Sequence, residues 1–240
     1  MLTFRKKQKS KRLVIIGGST CLLEIIELIA DINAQEKRYE VIGALDDNAA
    51  LHGQVIEGVR VLGGLSLAAK MDADIVFVFG IASYMNRLKR IEIFKSIGLP
   101  RERFVNLIHP SAKVYSSSTI GTGCLLYNGS VIMACCRVGD FVMISMNSVL
   151  APYVRIDDFA ILAPLVFLGS NSRVGSGAFL GSSSAIMEKT RIGPGAMIGI
   201  SSAVLRDVVP GATMIGNPAR LIETVEVPPS LIDAWKKPTP

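Results

Sequence analysis

The sequence predicts an α/β Rossmann-like N-terminal domain followed by a C-terminal left-handed parallel β-helix. Two observations support this fold class. Apolar strands alternate with helical patterns over residues 12–108, which is typical of a parallel α/β sheet. An unbroken six-residue repeat then runs from residue 114 to residue 204, which indicates a stack of short parallel strands.

An aliphatic residue recurs at every sixth position of the C-terminal half, and the residue two places earlier is always small or β-branched. This period fits neither an amphipathic helix nor an alternating strand. It predicts a triangular prism with about 18 residues per coil and about five coils. Glycine often follows the aliphatic residue, and we expect it to supply unusual backbone angles at the turns. The aliphatic series is Val114, Ile120, Leu126, Ile132, Val138, Ile144, Leu150, Ile156, Leu162, Leu168, Val174, Leu180, Ile186, Ile192, Ile198 and Val204.

In the N-terminal domain, buried strands are predicted at 13–16, 39–45 and 75–79, and helices at 21–32 and 87–97. Ligands of parallel sheets lie at the carboxyl ends of the strands. The residues at those ends are Gly17, Gly18, Ser19, Asp46, Asp47 and Gly80.

The turn after the first strand opens a helix, so its N–H groups could hold a phosphate. The turn lacks the GxGxxG pattern because Leu22 occupies the third glycine position. A sugar nucleotide therefore fits better than a dinucleotide, and a turn without ligand is the alternative. Asp46 and Asp47 either accept hydrogen bonds from a base or ribose hydroxyl, or only shape a turn.

Composition excludes several classes of protein. Half of the 240 residues are hydrophobic and 19% are charged, so a globular chain is expected. No apolar run is long enough for an integral membrane segment. The net charge of +6 forms no stripe beyond the basic leader at residues 1–11, and only 6% of residues are aromatic, so nucleic acid is not an expected partner. The four cysteines form no CxxC pattern, which favours reduced thiols and a cytoplasmic location.

The chain contains only two histidines, His52 and His109. Two histidines cannot form the three-histidine zinc site found in other prisms of this type, so no metal is expected. His109 belongs to a His-Pro-Ser-Ala segment at the domain junction, which favours a structural role. His52 follows the second strand in a predicted loop.

The order of short segments along the chain narrows the class of protein that the sequence predicts. The chain contains the following segments in this order: Gly17–Ser19, an Ala-Leu-Asp-Asp segment ending at Asp47, the His109 segment, the hexapeptides, and a Gly-Asn-Pro-Ala-Arg segment ending at Arg220. Over residues 12 to about 222, the chain resembles bacterial sugar acetyltransferases of the sialic acid O-acetyltransferase and bacillosamine N-acetyltransferase type. The resemblance implies a nucleotide-sugar domain at 12–108, an acyltransferase domain at 109–222 and a tail at 223–240. It also implies acetyl-CoA as donor, a nucleotide-linked amino sugar as acceptor, and a homotrimer.

The resemblance also assigns site residues. The six residues at the strand ends become the nucleotide-sugar site. The backbone N–H of Ser170 would meet the thioester carbonyl of acetyl-CoA. The acetyl-CoA site comprises Ser170, Gly181, Ser182, Gly199 and Ile200.

The general base of that family is missing. Its acidic-His-acidic triplet falls on Ala151-Pro152-Tyr153, and proline cannot take up a proton. Asn147, Tyr153 and Asp158 are the candidate catalytic substitutes, and each is alternatively a surface or turn residue. A neutral amine needs no base for its attack, whereas a hydroxyl does. We therefore expect N-acetylation, with a scaffold protein that has lost its chemistry, or a sugar O-acyltransferase, as alternatives.

Overall fold

The computed structural model describes residues 10–19 and 21–236, and it confirms both predicted parts. The basic leader falls mostly on residues 1–9, outside the described residues. The N-terminal domain is a five-stranded sheet in the order β3-β4-β2-β1-β5. Its elements are β1 (Lys11–Ile16), α1 (Leu22–Gln35), β2 (Tyr39–Leu45), β3 (Val55–Ile56), β4 (Val59–Gly63), β5 (Val76–Phe79) and α2 (Lys89–Ile97), with short 3₁₀ helices at Ala49–Leu51, Leu65–Lys70, Tyr84–Asn86 and Arg101–Arg103.

The predicted strands and helices are confirmed to within a few residues. β1 lies inside the sheet, where it pairs in parallel with β2 and β5, and its apolar side chains are buried on both faces. The sequence analysis missed the β3–β4 hairpin at the edge of the sheet. Its strands are short and its outward residues polar or exposed, so neither hydrophobic length nor strict alternation marks them.

The C-terminal part is a three-faced prism. Its strands are β6 (Leu107–Ile108), β7 (Lys113–Val114), β8 (Thr119–Ile120), β9 (Leu125–Leu126), β10 (Val131–Ile132), β11 (Arg137–Val138), β12 (Met143–Ile144), β13 (Val149–Leu150), β14 (Arg155–Ile156), β15 (Ile161–Leu162), β16 (Phe167–Leu168), β17 (Arg173–Val174), β18 (Phe179–Leu180), β19 (Ala185–Ile186), β20 (Arg191–Ile192), β21 (Met197–Ile198), β22 (Ala203–Val204), β23 (Ala212–Gly216) and β24 (Ala219–Thr224). Face 1 runs from β7 through β10, β13, β16 and β19 to β22, face 2 from β8 through β11, β14 and β17 to β20, and face 3 contains the remaining strands from β6 to β24.

Each strand pairs with the strand one full coil away. For example, Val149 of β13 lies opposite Val131 of β10 and Phe167 of β16. The second residue of each strand points inward, and these aliphatic side chains form one continuous buried core. The predicted repeat is therefore confirmed in its period and in its inward residues.

The glycines that follow the inward residues have a different role from the one predicted. None of them adopts a positive φ. The left-handed residue lies two places later and is often not glycine, as at Phe141, Asn171 and Ser183. A Cβ on Gly181 would lie 2.8 Å from the carbonyl oxygen of Ile198 in the next coil. Glycine is needed here because the neighbouring backbone leaves no space for a side chain.

The two domains share a buried junction. Side chains of α1 pack on the outward residues of face 3, among them Leu125, Met143 and Ile161. A second cluster of aromatic rings joins α2 to the prism, with Phe94 lying 4.4 Å from Phe141 between ring centroids. The prism therefore keeps faces 1 and 2 outside this junction.

Arg90 of α2 is the central polar group of the junction. It is 1% exposed and donates hydrogen bonds to the carbonyl oxygens of Ile81, Phe141 and Phe159 at 2.6, 3.1 and 2.5 Å. Burial lowers the pKa of Arg90 to about 10, so the guanidinium remains charged at neutral pH. These carbonyl groups offset part of the cost of burying that charge.

The chain ends in a hairpin and a helix. β23 extends face 3, and β24 pairs with it in antiparallel orientation. Helix α3 (Pro229–Lys236) follows and buries Trp235. No helix in residues 10–19 and 21–236 is both long and apolar enough to cross a membrane.

Replacing Arg90 with alanine should lower the free energy of unfolding by about 3–5 kcal/mol, because three buried carbonyl groups lose their donors. Urea unfolding followed by circular dichroism measures this change. Arg38→Ala is the matched control. Arg38 pairs with Glu36 while its side chain remains 60% exposed, so its loss should cost no more than about 0.5 kcal/mol. Equal effects of the two substitutions would contradict the role given to Arg90.

Candidate functional site

A cavity of about 250 Å³ opens at the carboxyl ends of β1, β2 and β5. Leu65, Ile81 and Ile93 give it apolar walls. Gly18 lies just behind it and donates its N–H to Asp46 Oδ2 at 2.8 Å. The other five residues predicted at the strand ends line the cavity: Gly17, Ser19, Asp46, Asp47 and Gly80.

Two glycines keep this cavity open. Gly17 has a φ of +105°, which side chains rarely adopt, and a Cβ on Gly80 would lie 3.0 Å from the Ile16 carbonyl oxygen. Bare backbone therefore lines the end of the sheet beside the start of α1. Cys21 caps α1 without a side-chain hydrogen bond. The first N–H of the helix, that of Leu22, donates to the Ser19 carbonyl oxygen at 3.1 Å and is therefore not available to an anion.

The two aspartates differ in their hydrogen bonds. Asp46 uses both carboxylate oxygens, because it accepts from the N–H groups of Gly18 and Asn48 at 2.8 and 2.9 Å. Asp47 accepts from the Leu65 N–H through Oδ1 at 2.8 Å. Asp46 thus shapes the turn, while the second oxygen of Asp47 can accept from a ligand.

The predicted catalytic residues lie on three different corners of the prism. Corner 1–2 joins face 1 to face 2 and carries Pro152 and Tyr153. Corner 2–3 carries Asp158, and corner 3–1 carries Asn147. One chain therefore does not bring Asn147, Tyr153 and Asp158 together.

Asp158 forms hydrogen bonds within the domain junction. Its Oδ1 accepts from the Asp140 N–H at 2.9 Å, and its Oδ2 accepts from Arg101 at 3.2 Å. Arg101 also forms an ion pair with Asp140. This placement contradicts a catalytic role for Asp158, because its carboxylate already has partners and its corner packs beside α2 and its neighbouring segments. Tyr153, by contrast, is 57% exposed next to Pro152.

The predicted acetyl-CoA residues divide between two corners. Ser170 lies on corner 1–2, one coil above Pro152, whose carbonyl accepts from the Asn171 N–H at 3.1 Å. Among the described residues, no backbone acceptor takes the N–H of Ser170. The other members lie on corner 3–1: Gly181, Ser182, Gly199 and Ile200.

A second cavity, of about 270 Å³, lies between α1 and corner 3–1. Glu24, Glu27 and Asp31 give it a negative charge, and it also contains Tyr127. The Tyr127 hydroxyl is buried without a hydrogen-bond partner, and burial raises the pKa of Tyr127 far above its usual range. A buried hydroxyl, whose oxygen can accept a hydrogen bond, beside three carboxylates suits a polar, cationic group.

Neither histidine lies at the vacant base position. His109 donates through Nε2 to Asp31 at 3.0 Å and accepts the Ser111 N–H through Nδ1 at 3.0 Å, which agrees with its predicted structural role. His52 Nε2 lies 2.8 Å from the Asp46 carbonyl oxygen and donates to it. The described residues contain no group of three or more His, Cys, Asp or Glu side chains that could hold a metal ion.

The sequence analysis missed a basic stripe. Arg137, Arg155, Arg173 and Arg191 lie opposite one another on consecutive strands of face 2. The expectation that the net charge forms no stripe was therefore wrong. The signal was present in the sequence as arginine at the same position of four successive coils, but it is spread over many residues and escapes a search for local charge runs.

No protein-family model and no curated protein matches the sequence. Several solved structures, however, match the chain. PerB from Caulobacter crescentus, in complex with CoA and GDP-perosamine, is 27% identical, with a TM-score of 0.75 over 88% of this chain and 97% of that one. A histidine-to-asparagine mutant of perosamine N-acetyltransferase from the same organism, also with CoA and GDP-perosamine, is 25% identical, with a TM-score of 0.76 over 88% and 96%.

The chain resembles the hexapeptide-repeat sugar acetyltransferases. The acetyltransferase domain of PglB from Neisseria gonorrhoeae, in complex with acetyl coenzyme A, shares the fold at 24% identity, with a TM-score of 0.77 over 89% of this chain and all of that domain. The resemblance and the fold class predicted from the sequence are confirmed. These structures support an acetyl-CoA-dependent sugar acetyltransferase.

Replacing Asp47 with asparagine tests the nucleotide role predicted for the first cavity. Asparagine retains an oxygen for the Leu65 N–H, so stability should change by no more than about 0.5 kcal/mol. Loss of the charged acceptor should weaken binding of the cognate sugar nucleotide roughly 10-fold. Calorimetry with UDP-, dTDP- and GDP-linked amino sugars measures this, and Asp233→Asn on α3 is the control. An unchanged dissociation constant would exclude contact between Asp47 and the nucleotide.

Proposed function

We propose that the chain is an N-acetyltransferase that moves acetyl from acetyl-CoA to the amino group of a nucleotide-linked amino deoxysugar in surface-glycan biosynthesis. One observation supports this most strongly. The residues predicted for a sugar nucleotide converge on one cavity, in a chain that shares its fold with a protein holding CoA and GDP-perosamine. The four cysteines are free, which suits the cytoplasm.

The proposed reaction is direct acetyl transfer. The nitrogen lone pair of the sugar amine attacks the thioester carbonyl carbon, the C–S bond breaks, and CoA leaves as a thiolate. The proton lost by the amine goes to that thiolate or to water. The N–H of Ser170 has no backbone acceptor among the described residues, so it can donate to the oxyanion that forms on the carbonyl.

An amine acceptor fits this chain better than a hydroxyl acceptor. Pro152 offers no base, and both histidines have structural partners. The acidic cavity beside corner 3–1 has the charge to attract an ammonium group. A bound ammonium group must lose a proton before its nitrogen can attack. Close positioning of the amine beside the thioester would then replace much of the rate enhancement that a general base gives.

We further propose that three copies associate through face 1. After Lys113 on its first strand, the outward residues of face 1 are all apolar: Val131, Val149, Phe167, Ala185 and Ala203. This apolar face lies between corner 1–2 and corner 3–1. Around a threefold axis, corner 1–2 of one copy would meet corner 3–1 of the next. Ser170 and Tyr153 would then face Gly181, Gly199 and Asn147 of a neighbour, which would complete the acetyl-CoA site.

Thiol release from acetyl-CoA tests the proposed reaction. With a panel of UDP-, dTDP- and GDP-linked sugars, we expect release with one amino sugar and none with its hydroxyl counterpart. The value of kcat/KM should rise with pH as the acceptor amine loses its proton. Its pH profile should show no inflection from a histidine at about pH 6.5. His52→Gln should leave the profile unchanged.

Other outcomes of this assay favour the alternatives. Acetylation of a sugar that has no free amine would indicate an O-acyltransferase. Failure of the purified protein to bind either acetyl-CoA or a sugar nucleotide would indicate a scaffold that has lost its chemistry.

Substitution on face 1 tests the trimer. Phe167 is 47% exposed, and Phe167→Glu would place a charge in the proposed interface. We expect sedimentation to change from trimer to monomer and thiol release to fall at least about 10-fold, because the active site would be incomplete. Leu221→Glu on β24, at a side chain 57% exposed, is the control. A trimeric Phe167→Glu protein would exclude face 1 as the interface.

A further inference from the structure

The cavity between α1 and corner 3–1, which we call the α1 cavity, has a volume of about 270 Å³. This volume is just below the usual range of small-molecule sites, so the cavity has room for a small ligand or for one sugar ring. Leu23, Leu28 and Met146 give it apolar walls, and the described part of the chain places no lysine or arginine in its lining. A ligand that fits this cavity is therefore compact and partly apolar.

The acidic side chains of the α1 cavity come from one face of the helix. Glu24, Glu27 and Asp31 line it, and their spacing of three and four residues places like charges beside one another, which destabilises a helix. Within residues 10–19 and 21–236, neither Glu24 nor Glu27 forms a salt bridge. The negative charge of these two side chains is therefore available to a cationic ligand.

His109 also lines the α1 cavity but does not cancel this charge. Its Nδ1 accepts the Ser111 N–H at 3.0 Å, so this nitrogen carries no proton, and its Nε2 donates to Asp31 Oδ2 at 3.0 Å. An imidazole that accepts through one nitrogen and donates through the other is neutral. The cavity therefore keeps the negative charge of its carboxylates.

Tyr127 adds a polar group that has no partner inside the protein. It lines the α1 cavity and is 4% exposed, and among the described residues its hydroxyl has no hydrogen-bond partner. A buried hydroxyl without a partner costs free energy. A polar ligand in the cavity would supply the missing partner and offset that cost.

We infer that the α1 cavity binds a primary ammonium group carried on a compact, partly apolar body. An ammonium group has three N–H donors and no acceptor. The carboxylates of Glu24 and Glu27 and the hydroxyl oxygen of Tyr127 offer three acceptors, and hydrogen bonds between ionised groups are strong. A hydroxyl in the same place would bring one donor and no charge. These three residues therefore determine specificity for an amine over an alcohol.

The position of the α1 cavity favours the acceptor sugar as the source of the ammonium group. Cys21 lines the nucleotide cavity, whereas Leu23 and Glu24 line the α1 cavity, so both cavities border the start of α1. A nucleotide in the first cavity would bring its sugar to the second. In this form the inference rests on the proposed function. A free aliphatic amine has the same chemistry and is the alternative source.

Titration of the full chain with n-butylammonium, followed by NMR, tests the site, with butan-1-ol as the neutral counterpart. We expect the wild type to prefer the amine. The double variant Glu24→Gln/Glu27→Gln should weaken amine binding at least about 10-fold and leave alcohol binding unchanged. Glu36→Gln is the matched control, because it removes a carboxylate that ends the same helix and pairs with Arg38. It should bind the amine like the wild type.

Tyr127→Phe separates ligand binding from folding. The substitution deletes a hydroxyl that has no partner among the described residues, so the midpoint of urea unfolding should not fall. Binding of n-butylammonium should weaken roughly 5–10-fold, because one acceptor is lost. A lower urea midpoint with unchanged amine affinity would give Tyr127 a purely structural role and would remove it from the site.

Kinetics with the amino sugar that gives thiol release identify the source of the ammonium group. If the acceptor supplies it, n-butylammonium should compete with that sugar. The double Gln variant should then lower kcat/KM at least about 10-fold, with unchanged dissociation constants for acetyl-CoA and for the bare nucleoside diphosphate. Amine binding that depends on Glu24 and Glu27 without such competition would support the site and overturn the acceptor as its ligand.

Two results would overturn the inference as a whole. They are equal wild-type affinity for n-butylammonium and butan-1-ol, and unchanged amine affinity in the double Gln variant. Amine binding that depends on the two glutamates, with no thiol release from any sugar of the panel, would contradict the proposed function alone. Thiol release by the double variant with the kcat/KM of the wild type would contradict the acceptor assignment alone.

Discussion

The prism depends on one constraint: each coil must close a triangle and return its backbone to hydrogen-bond distance of the coil before it. Every face then consists of residues from the same position in successive coils. The inward position can hold only aliphatic side chains, because no water reaches the buried core. The glycines that follow the inward residues are explained by the same closeness of backbone to backbone, and they do not adopt left-handed angles.

The three corners of the prism have different roles, because some hold the two domains together and others carry the predicted site residues. Corner 2–3 belongs to the junction. There Asp140 and Asp158 accept hydrogen bonds from backbone N–H groups of the preceding coil, and Arg101 and Arg90 join the corner to the N-terminal domain. Partial burial raises the pKa of Asp157 beside this corner, and the Arg173 guanidinium opposes that effect. Corner 1–2 and the C-terminal coils of corner 3–1 lie outside the junction, and they carry the residues that the resemblance assigns to acetyl-CoA.

The sequence predicted the fold well because both of its signals are local and repetitive. The inward aliphatic residues and β1, β2 and β5 follow directly from hydrophobic spacing. The site was harder to predict, because hydrogen-bond partners are not encoded by spacing. Asp46 and Asp158 look like free carboxylates in the sequence, and only the structure shows that Gly18, Asn48 and Arg101 already engage them. The four arginines of face 2 were missed in the sequence because they become neighbours only after the chain has coiled.

The strict register also makes each coil a removable unit. Loss or duplication of a whole coil would keep every inward residue inward and every corner at its corner, so the fold could tolerate it with little local strain. It would nevertheless move Ser170 along the prism relative to the N-terminal domain by the spacing of one strand, about 4.8 Å. Under the proposed function, the number of coils that precede Ser170 would set the distance that a sugar spans between its nucleotide and the thioester.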